Sequence, residues 1–222
     1  MDQVFIVGGA GNVGRRLSKL LHEHGHHVSS LHRKPEQAKE IAATGAVPVF
    51  GSLQELNVDE LAARMAGSNV VVFTAGAGGK GGKEMTTAID GDGLTRSVAA
   101  AQKAGVQRFI LVSAFPESFR AKEVSDTFEH YMAVKKMADV HLAESDLDWV
   151  ILRPGTLLDT PGTGRVRTGL AIPYGEVSRD DVAATLFALI EQPSVSRKII
   201  ELTQGQMPAA ESIRRFADGS RG

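Results

Sequence analysis

The chain has 222 residues, and its 42% hydrophobic and 23% charged content is an ordinary globular balance with material for a sizeable core. A net charge of -1 gives no electrostatic case for nucleic acid or an anionic membrane surface as partner. Cysteine is absent, which excludes disulfides, thiolate catalysis and Cys-ligated metal centres and agrees with a reducing compartment.

Met1 runs almost directly into the first apolar run, so no signal segment is expected, and no apolar stretch is long enough to span a bilayer. A cytoplasmic protein is the expectation. Val4-Phe5-Ile6-Val7 reads as a short strand buried on both faces. Gly8, Gly11 and Gly14 follow, and Gly9 adds a G-x-G-x-x-G frame. Val13, Leu17, Leu20 and Leu21 then recur at helical spacing, so a helix starts inside the glycine run. Strand, glycine turn and helix N-terminus together hold a dinucleotide pyrophosphate. The early glycines permit the tight turn and close approach of the phosphates, and Gly14 lets the helix pack on the strand. Unpaired N–H groups at the positive end of the helix dipole face the anion.

His27 to Leu31 is predicted as a second strand, running into His32-Arg33-Lys34-Pro35, with Pro35 in the first turn of a helix to about Ala43. Ala46 to Phe50 is a third strand. Gly51-Ser52-Leu53 turns toward a helix over Val58 to Met65. Val70 to Phe73 is a fourth strand entering a glycine-dense loop, Ala75 to Gly82, which after a buried strand is expected to cover a ligand. A long helix is predicted from about Glu84 to Lys103. Within it Asp90-Gly91-Asp92-Gly93 places two glycines that each cost about 1 kcal/mol relative to Ala. Close approach to a cofactor or a neighbouring helix should compensate.

Phe109 to Val112 is a fifth strand, Phe115 to Arg120 irregular, Thr127 to Ala143 helical, and Trp149 to Leu152 a sixth strand closed by Arg153-Pro154-Gly155. Thr156 to Gly175 is rich in Gly, Thr and Pro and should lie over the sheet edge. Its Arg165 and Arg167 could meet an anion, although solvated arginines are commoner. Ser178-Arg179-Asp180-Asp181 reads as an N-cap and acidic first turn of a helix to Glu191. A last strand over Lys198 to Leu202 and a helix over Ala209 to Phe216 follow. Alternating strands and helices imply one Rossmann-like, doubly wound α/β domain over residues 1–222, with a mainly parallel seven-stranded sheet covered by helices on both faces. His22, His24, His26 and His27 fall at the end of the first helix, away from the strand C-termini. Histidine is favourable there for dipole reasons alone, so no metal is expected.

Along nearly its full length the chain resembles the atypical short-chain dehydrogenase/reductases. The matching pieces are Gly8-x-x-Gly11-x-x-Gly14, His32-Arg33-Lys34-Pro35, Gly51-Ser52-Leu53, Asp90-x-x-Gly93, Val112-Ser113, Tyr131-x-x-x-Lys135, and the distinctive Leu147-Asp148-Trp149-Val150-Ile151-Leu152-Arg153-Pro154-Gly155. The resemblance implies cofactor contacts from Gly8, Gly11, Asn12, Val13, Gly14, Arg33, Lys34, Ser52, Leu53, Ala75, Gly76, Lys135 and Pro154. It also implies a catalytic set of Ser113, Tyr131 and Lys135. In such a reductase the Tyr hydroxyl gives a proton to the substrate carbonyl, the Lys lowers the Tyr pKa and holds the nicotinamide ribose, and the Ser orients the carbonyl.

Two positions depart from the family pattern: Ser52 stands where an Asp usually contacts the adenine, and Asp90 where the ordinary branch has a catalytic Asn. An NAD site of this kind usually ends its second strand in an acid, which bonds the ribose hydroxyls and repels a 2′-phosphate. Here the strand ends Ser30-Leu31-His32-Arg33-Lys34, and Arg33 with Lys34 suits that phosphate, so NADP (as NADPH) is the expected cofactor. The expected activity is hydride transfer to a small carbonyl, quinone-like or flavin-like acceptor. The alternatives are a non-catalytic NADP sensor of the NmrA-like kind and, less favoured because no larger substrate lobe follows the seventh strand, an epimerase/dehydratase. A small-molecule acceptor is the expected partner, with no nucleic acid and no membrane. Oligomeric state is not legible.

Overall fold

The computed structural model describes residues 1–116, 118 and 124–217. Its first half runs β1 (Gln3–Val7), α1 (Asn12–Glu23), β2 (His27–His32), α2 (Gln37–Ala42), β3 (Val47–Phe50), α3 (Val58–Met65) and β4 (Val70–Phe73). Next come α4 (Gly82–Thr86), a π-helical turn (Thr87–Asp92), α5 (Gly93–Lys103), β5 (Arg108–Val112), α6 (Asp126–Ala143) and β6 (Asp148–Pro154). The last part holds β7 (Thr156–Leu158), β8 (Arg165–Gly169), β9 (Glu176–Ser178), α7 (Arg179–Glu191), β10 (Lys198–Gln204), β11 (Met207–Pro208) and α8 (Ala209–Ala217).

Strand alternation separates two cores. In β1, Val4 and Ile6 point to one face with Leu17 and Leu21 of α1 and Leu186 and Leu189 of α7. Phe5 and Val7 point to the other, with Leu61 of α3, Leu94 of α5 and Leu142 of α6. A strand buried on both faces has no polar side to present, which is why its sequence is an unbroken apolar run. The sheet order is β11-β8-β10-β6-β5-β4-β1-β2-β3. Seven of these strands, β3 through β10 in that order, pair in parallel. The expected seven-stranded sheet is therefore extended to nine, because β8 and β11 add antiparallel at one edge. β8 comes from the Gly- and Thr-rich region, where turn residues obscure a short edge strand, β11 is two residues long just after β10, and β7 and β9 form a separate parallel pair.

Local signals set the helix starts. Asn57 and Glu60 form a reciprocal capping box on α3, Ser125 caps α6, and Ser178 accepts the Asp180 amide at α7. The helix expected from Pro35 begins only at Gln37. The helix expected over 84–103 is divided by the π-helical turn. Both glycines there permit close approach, since a Cβ at Gly91 would lie 3.2 Å from Val134 of α6 and one at Gly93 3.3 Å from Leu53. The neighbouring elements thus supply the compensation.

Among the described residues, Asp2, His26 and Glu191 form a His/carboxylate group of metal-like proximity. His26 Nδ1 accepts the Asp2 amide at 3.2 Å and Nε2 lies 3.0 Å from Glu191, so both ring nitrogens are engaged in tying the first strand to the end of α7. No helix among the described residues is long and apolar enough to cross a membrane.

Candidate functional site

β1 lies between β2 and β4, where the sheet order reverses, and such a switch point opens a crevice at the strand C-termini. Gly8 turns out of β1 with φ of 85°, and a Cβ there would sit 2.6 Å from the Ala75 amide nitrogen. A Cβ at Gly9 would be 2.4 Å from Ser30 Cβ, and one at Gly14 2.6 Å from the Gly8 carbonyl oxygen. Thr74 Oγ1 donates to the Val7 and Gly8 carbonyls at 3.1 and 3.3 Å, pinning the turn to the end of β4. Gly11 is the N-cap of α1. It supplies no side-chain cap, and no acid stands in the first turn. The leading amides of a twelve-residue helix are thereby left for an anion.

The glycine turn borders a cleft of about 310 Å³ that brings together the predicted Gly8, Gly11, Arg33, Ser52, Leu53, Ala75 and Gly76. Six other predicted contacts do not line it, Lys135 among them, which lies in the second cluster described below. Val13 packs into the core, Gly14 spaces the helix from the turn, and Asn12 accepts from Arg15. Lys34 is exposed, and its amide donates to Gln37 at 3.1 Å. Pro154 lies elsewhere, paired with Leu202 of β10. The structure adds His32, Gln37, Thr74 and Lys80 to the wall. Thr74 and Lys80 were within reach of the rule that residues after a buried strand face the ligand. His32 stood in the matching piece His32-Arg33-Lys34-Pro35 without a role assigned to it, and Gln37 carried no signal of its own. The charged side chains lining the cleft among the described residues are Arg33 and Lys80, with no carboxylate. Arg165 of β8 instead donates to the Gln206 carbonyl at 2.6 Å.

The second cluster forms where β5 ends against α6. Lys135 is 3% exposed, and its ammonium donates to the Val112 carbonyl at 3.0 Å and lies 3.6 Å from Asp90, itself 2% exposed. Asp90 also accepts the Ala77 amide at 2.9 Å, so one carboxylate joins the lysine to the glycine loop of the cofactor cleft. Ser113 follows Val112 directly, and its buried Oγ has no hydrogen-bond partner among the described residues. Tyr131 is one turn before Lys135 on the same helix face, half-buried and tilted against Phe128 with ring centroids 6.1 Å apart. Burial pushes its phenol well above the ordinary tyrosine range, and the negative charges of Asp90 and Asp139 add to the shift. That corrects the expected lowering by Lys135, whose charge is committed to Asp90 and the Val112 carbonyl.

A strand–glycine–helix turn that a Cβ would fill, uncapped amides and a cleft at the switch point fit a dinucleotide. The chain belongs to a family of NAD(P)H-binding domains, whose match covers residues 8–193. Within that class it is an atypical short-chain dehydrogenase/reductase. It is similar to an uncharacterized sugar epimerase of Bacillus subtilis strain 168, YhfK, at 36% identity over 96% of this chain and all of that one. A Bacillus halodurans structure provisionally titled an NAD-dependent epimerase/dehydratase superposes with TM-score 0.88 at 31% identity, covering 97% of this chain and 100% of that one. The structure titled oxidoreductase ylbE, from Lactococcus lactis, gives 0.85 at 26% identity over 99% of both chains.

Proposed function

We propose that this protein is an NADPH-dependent reductase acting on a small carbonyl, quinone-like or flavin-like acceptor. The observation that carries the cofactor choice is the charge of the cleft, where Arg33 and Lys80 stand without an opposing carboxylate among the described lining residues. A 2′-phosphate gains from both cations, whereas the usual NAD site needs an acid at the end of β2. The oxidoreductase title of the Lactococcus relative agrees with a redox role.

When bound, NADPH supplies the hydride that reduces the acceptor. The chain's own part is to position the acceptor and move a proton. Ser113 Oγ, without a partner among the described residues and beside the Lys135 anchor, orients the acceptor oxygen. Tyr131, held protonated by its surroundings, gives that oxygen its proton and is refilled from solvent. Lys135 is fixed by Asp90 and Val112 and keeps the end of β5 and the face of α6 in register.

A second reading, an NADP sensor without turnover, draws on the raised Tyr131 pKa and the engaged Lys135. The epimerase names of relatives support a third, in which no net cofactor oxidation occurs. Titration should give NADPH an affinity at least about tenfold above NADH, since a charge-assisted bond contributes about 1.5–3 kcal/mol. Arg33→Ala should remove most of the preference. Equal affinities in the native protein would refute the NADPH assignment. NADPH oxidation with quinones, flavins and aldehydes separates the reductase from both other readings.

A further inference from the structure

Leaving β4 for α4, the chain runs Ala77-Gly78-Gly79-Lys80-Gly81-Gly82, a single lysine between two pairs of glycines. All four of those glycines have positive φ, from 63° to 77°, a region that glycine enters freely and other residues rarely. A Cβ at Gly78, Gly79 or Gly82 would stand in open space, with nothing among the described residues within 4 Å. The ends of the segment are held. The Ala77 amide donates to buried Asp90 at 2.9 Å, and the Met85 amide to the Gly81 carbonyl at 3.4 Å. Between Ala77 and Lys83 the only side chain is that of Lys80. It is exposed, yet it lines the cofactor cleft with Arg33. Arg33 follows β2 and Lys80 follows β4, so the two cations approach from either side of β1. Glycine loses more conformational freedom on ordering than any other residue, so such a segment orders only where a partner offsets that cost. The Lys80 ammonium, a point charge with three donors on a flexible stem, is the side-chain group that can meet one.

We propose that residues 78–82 are a strap that closes over the bound cofactor when Lys80 engages its 2′-phosphate. The strap orders around NADPH and stays loose around NADH, and its opening limits NADPH release. Arg33 holds the phosphate on the fixed bank, and Lys80 completes the grip from the moving one. The proposal rests on the NADPH reading for the phosphate that is gripped, while the ordering of the loop is measured independently of affinity. A charge-assisted bond from so exposed a lysine falls at the lower end of its range, about tenfold in binding. Because the strap must open before the cofactor leaves, that factor falls on the release rate.

Amide hydrogen exchange of residues 78–82, followed by mass spectrometry, measures the ordering, and stopped-flow fluorescence of the reduced cofactor measures release. With each cofactor saturating, NADPH should slow exchange about tenfold and NADH by under about twofold. Lys80→Ala should lose the NADPH-specific protection and release NADPH about tenfold faster, with NADH release little changed. Lys80→Arg keeps the charge and should keep most of the protection. Lys83→Ala removes an exposed cation three residues further on, outside the cleft wall, and should alter neither measurement. Equal protection by the two cofactors overturns the proposal, as does protection by neither. NADPH release unchanged in Lys80→Ala, or quickened as much in Lys83→Ala, overturns it too. Tighter NADPH binding without a difference in exchange removes the strap and leaves the cofactor assignment standing. Equal affinities with NADPH-specific protection do the reverse.

Discussion

Removing the Asp90 carboxylate should be the most damaging single change near the site that leaves the apolar core untouched. In Asp90→Ala the Lys135 ammonium keeps the Val112 carbonyl but loses its counter-charge while 3% exposed. Breaking a buried pair from one side costs about 3–5 kcal/mol, because a desolvated charge is stranded. The Ala77 amide also loses its acceptor, but it belongs to a glycine loop that can turn it to water, so little is added. For a chain of this length each kcal/mol shifts the melting temperature by about 2–4 °C, giving an expected fall of about 6–20 °C. Thermal unfolding followed by circular dichroism at neutral pH measures it. Asp90→Ala with Lys135→Met should recover most of the loss, since an apolar pair of similar volume is nearly neutral in such a place. A single variant melting within about 2 °C of the native protein would refute the argument, as would a double variant no better than the single.

The glycine turn offers a contrast between two positions. Gly11→Val should fold within about 1 kcal/mol of the native protein, since its backbone is extended and a Cβ meets only the Gly8 carbonyl at 3.1 Å, yet lose NADPH binding. Gly8→Ala, at φ of 85° and against Ala75, should lose stability and binding together in the same melting and titration experiments. Tyr131→Phe should lower turnover of a carbonyl acceptor by about a hundred- to ten-thousandfold with NADPH affinity little changed, and full activity on every accepted substrate would end the proton-donor role. The Asp180 carboxyl is held below its ordinary value of 3.8 by the Gly162 amide and then by Arg16, with partial burial opposing. A depressed folded pKa stabilises above the unfolded value and is lost as pH falls through the folded one. The native protein's advantage over Asp180→Asn should therefore be present above about pH 5 and shrink below about pH 4. Its size should stay under about 1 kcal/mol for so exposed a pair.

The parallel sheet was legible because central strands buried on both faces, β1, β4, β5 and β6, are written around apolar runs that alternate with helical periods. The glycine turn was legible for the same reason, since only glycine tolerates the approaches at Gly8, Gly9 and Gly14. β8 and β11 escaped because antiparallel edge strands need only a few residues and share their composition with loops. The Arg33 side of the cleft followed from the missing acid after β2, but Lys34 did not join it, because the turn into α2 leaves its side chain in solvent. Lys135 was foreseen as the partner of Tyr131, whereas its bond to Asp90 crosses from α6 to another helix. No local pattern reports such a pairing.

The π-helical turn at Thr87–Asp92 carries a consequence for how this chain can change by insertion and deletion. Such a turn holds one residue more than the α-helix it interrupts, and its hydrogen bonds are less favourable, so it persists only where something else gains. Here Asp90 reaches Lys135 and Ala77, and Thr87 Oγ1 meets His130 of α6 at 2.9 Å. Deleting a single residue inside the turn would remove that extra residue and let the segment relax into continuous α-helix with both flanks still in register. The loss would fall on the side chains that the wider turn now presents, Thr87 and Asp90, and on their contacts to His130, Lys135 and Ala77. A gap at this one place should thus leave a helix that looks more regular and a site that has lost its tie to the glycine loop.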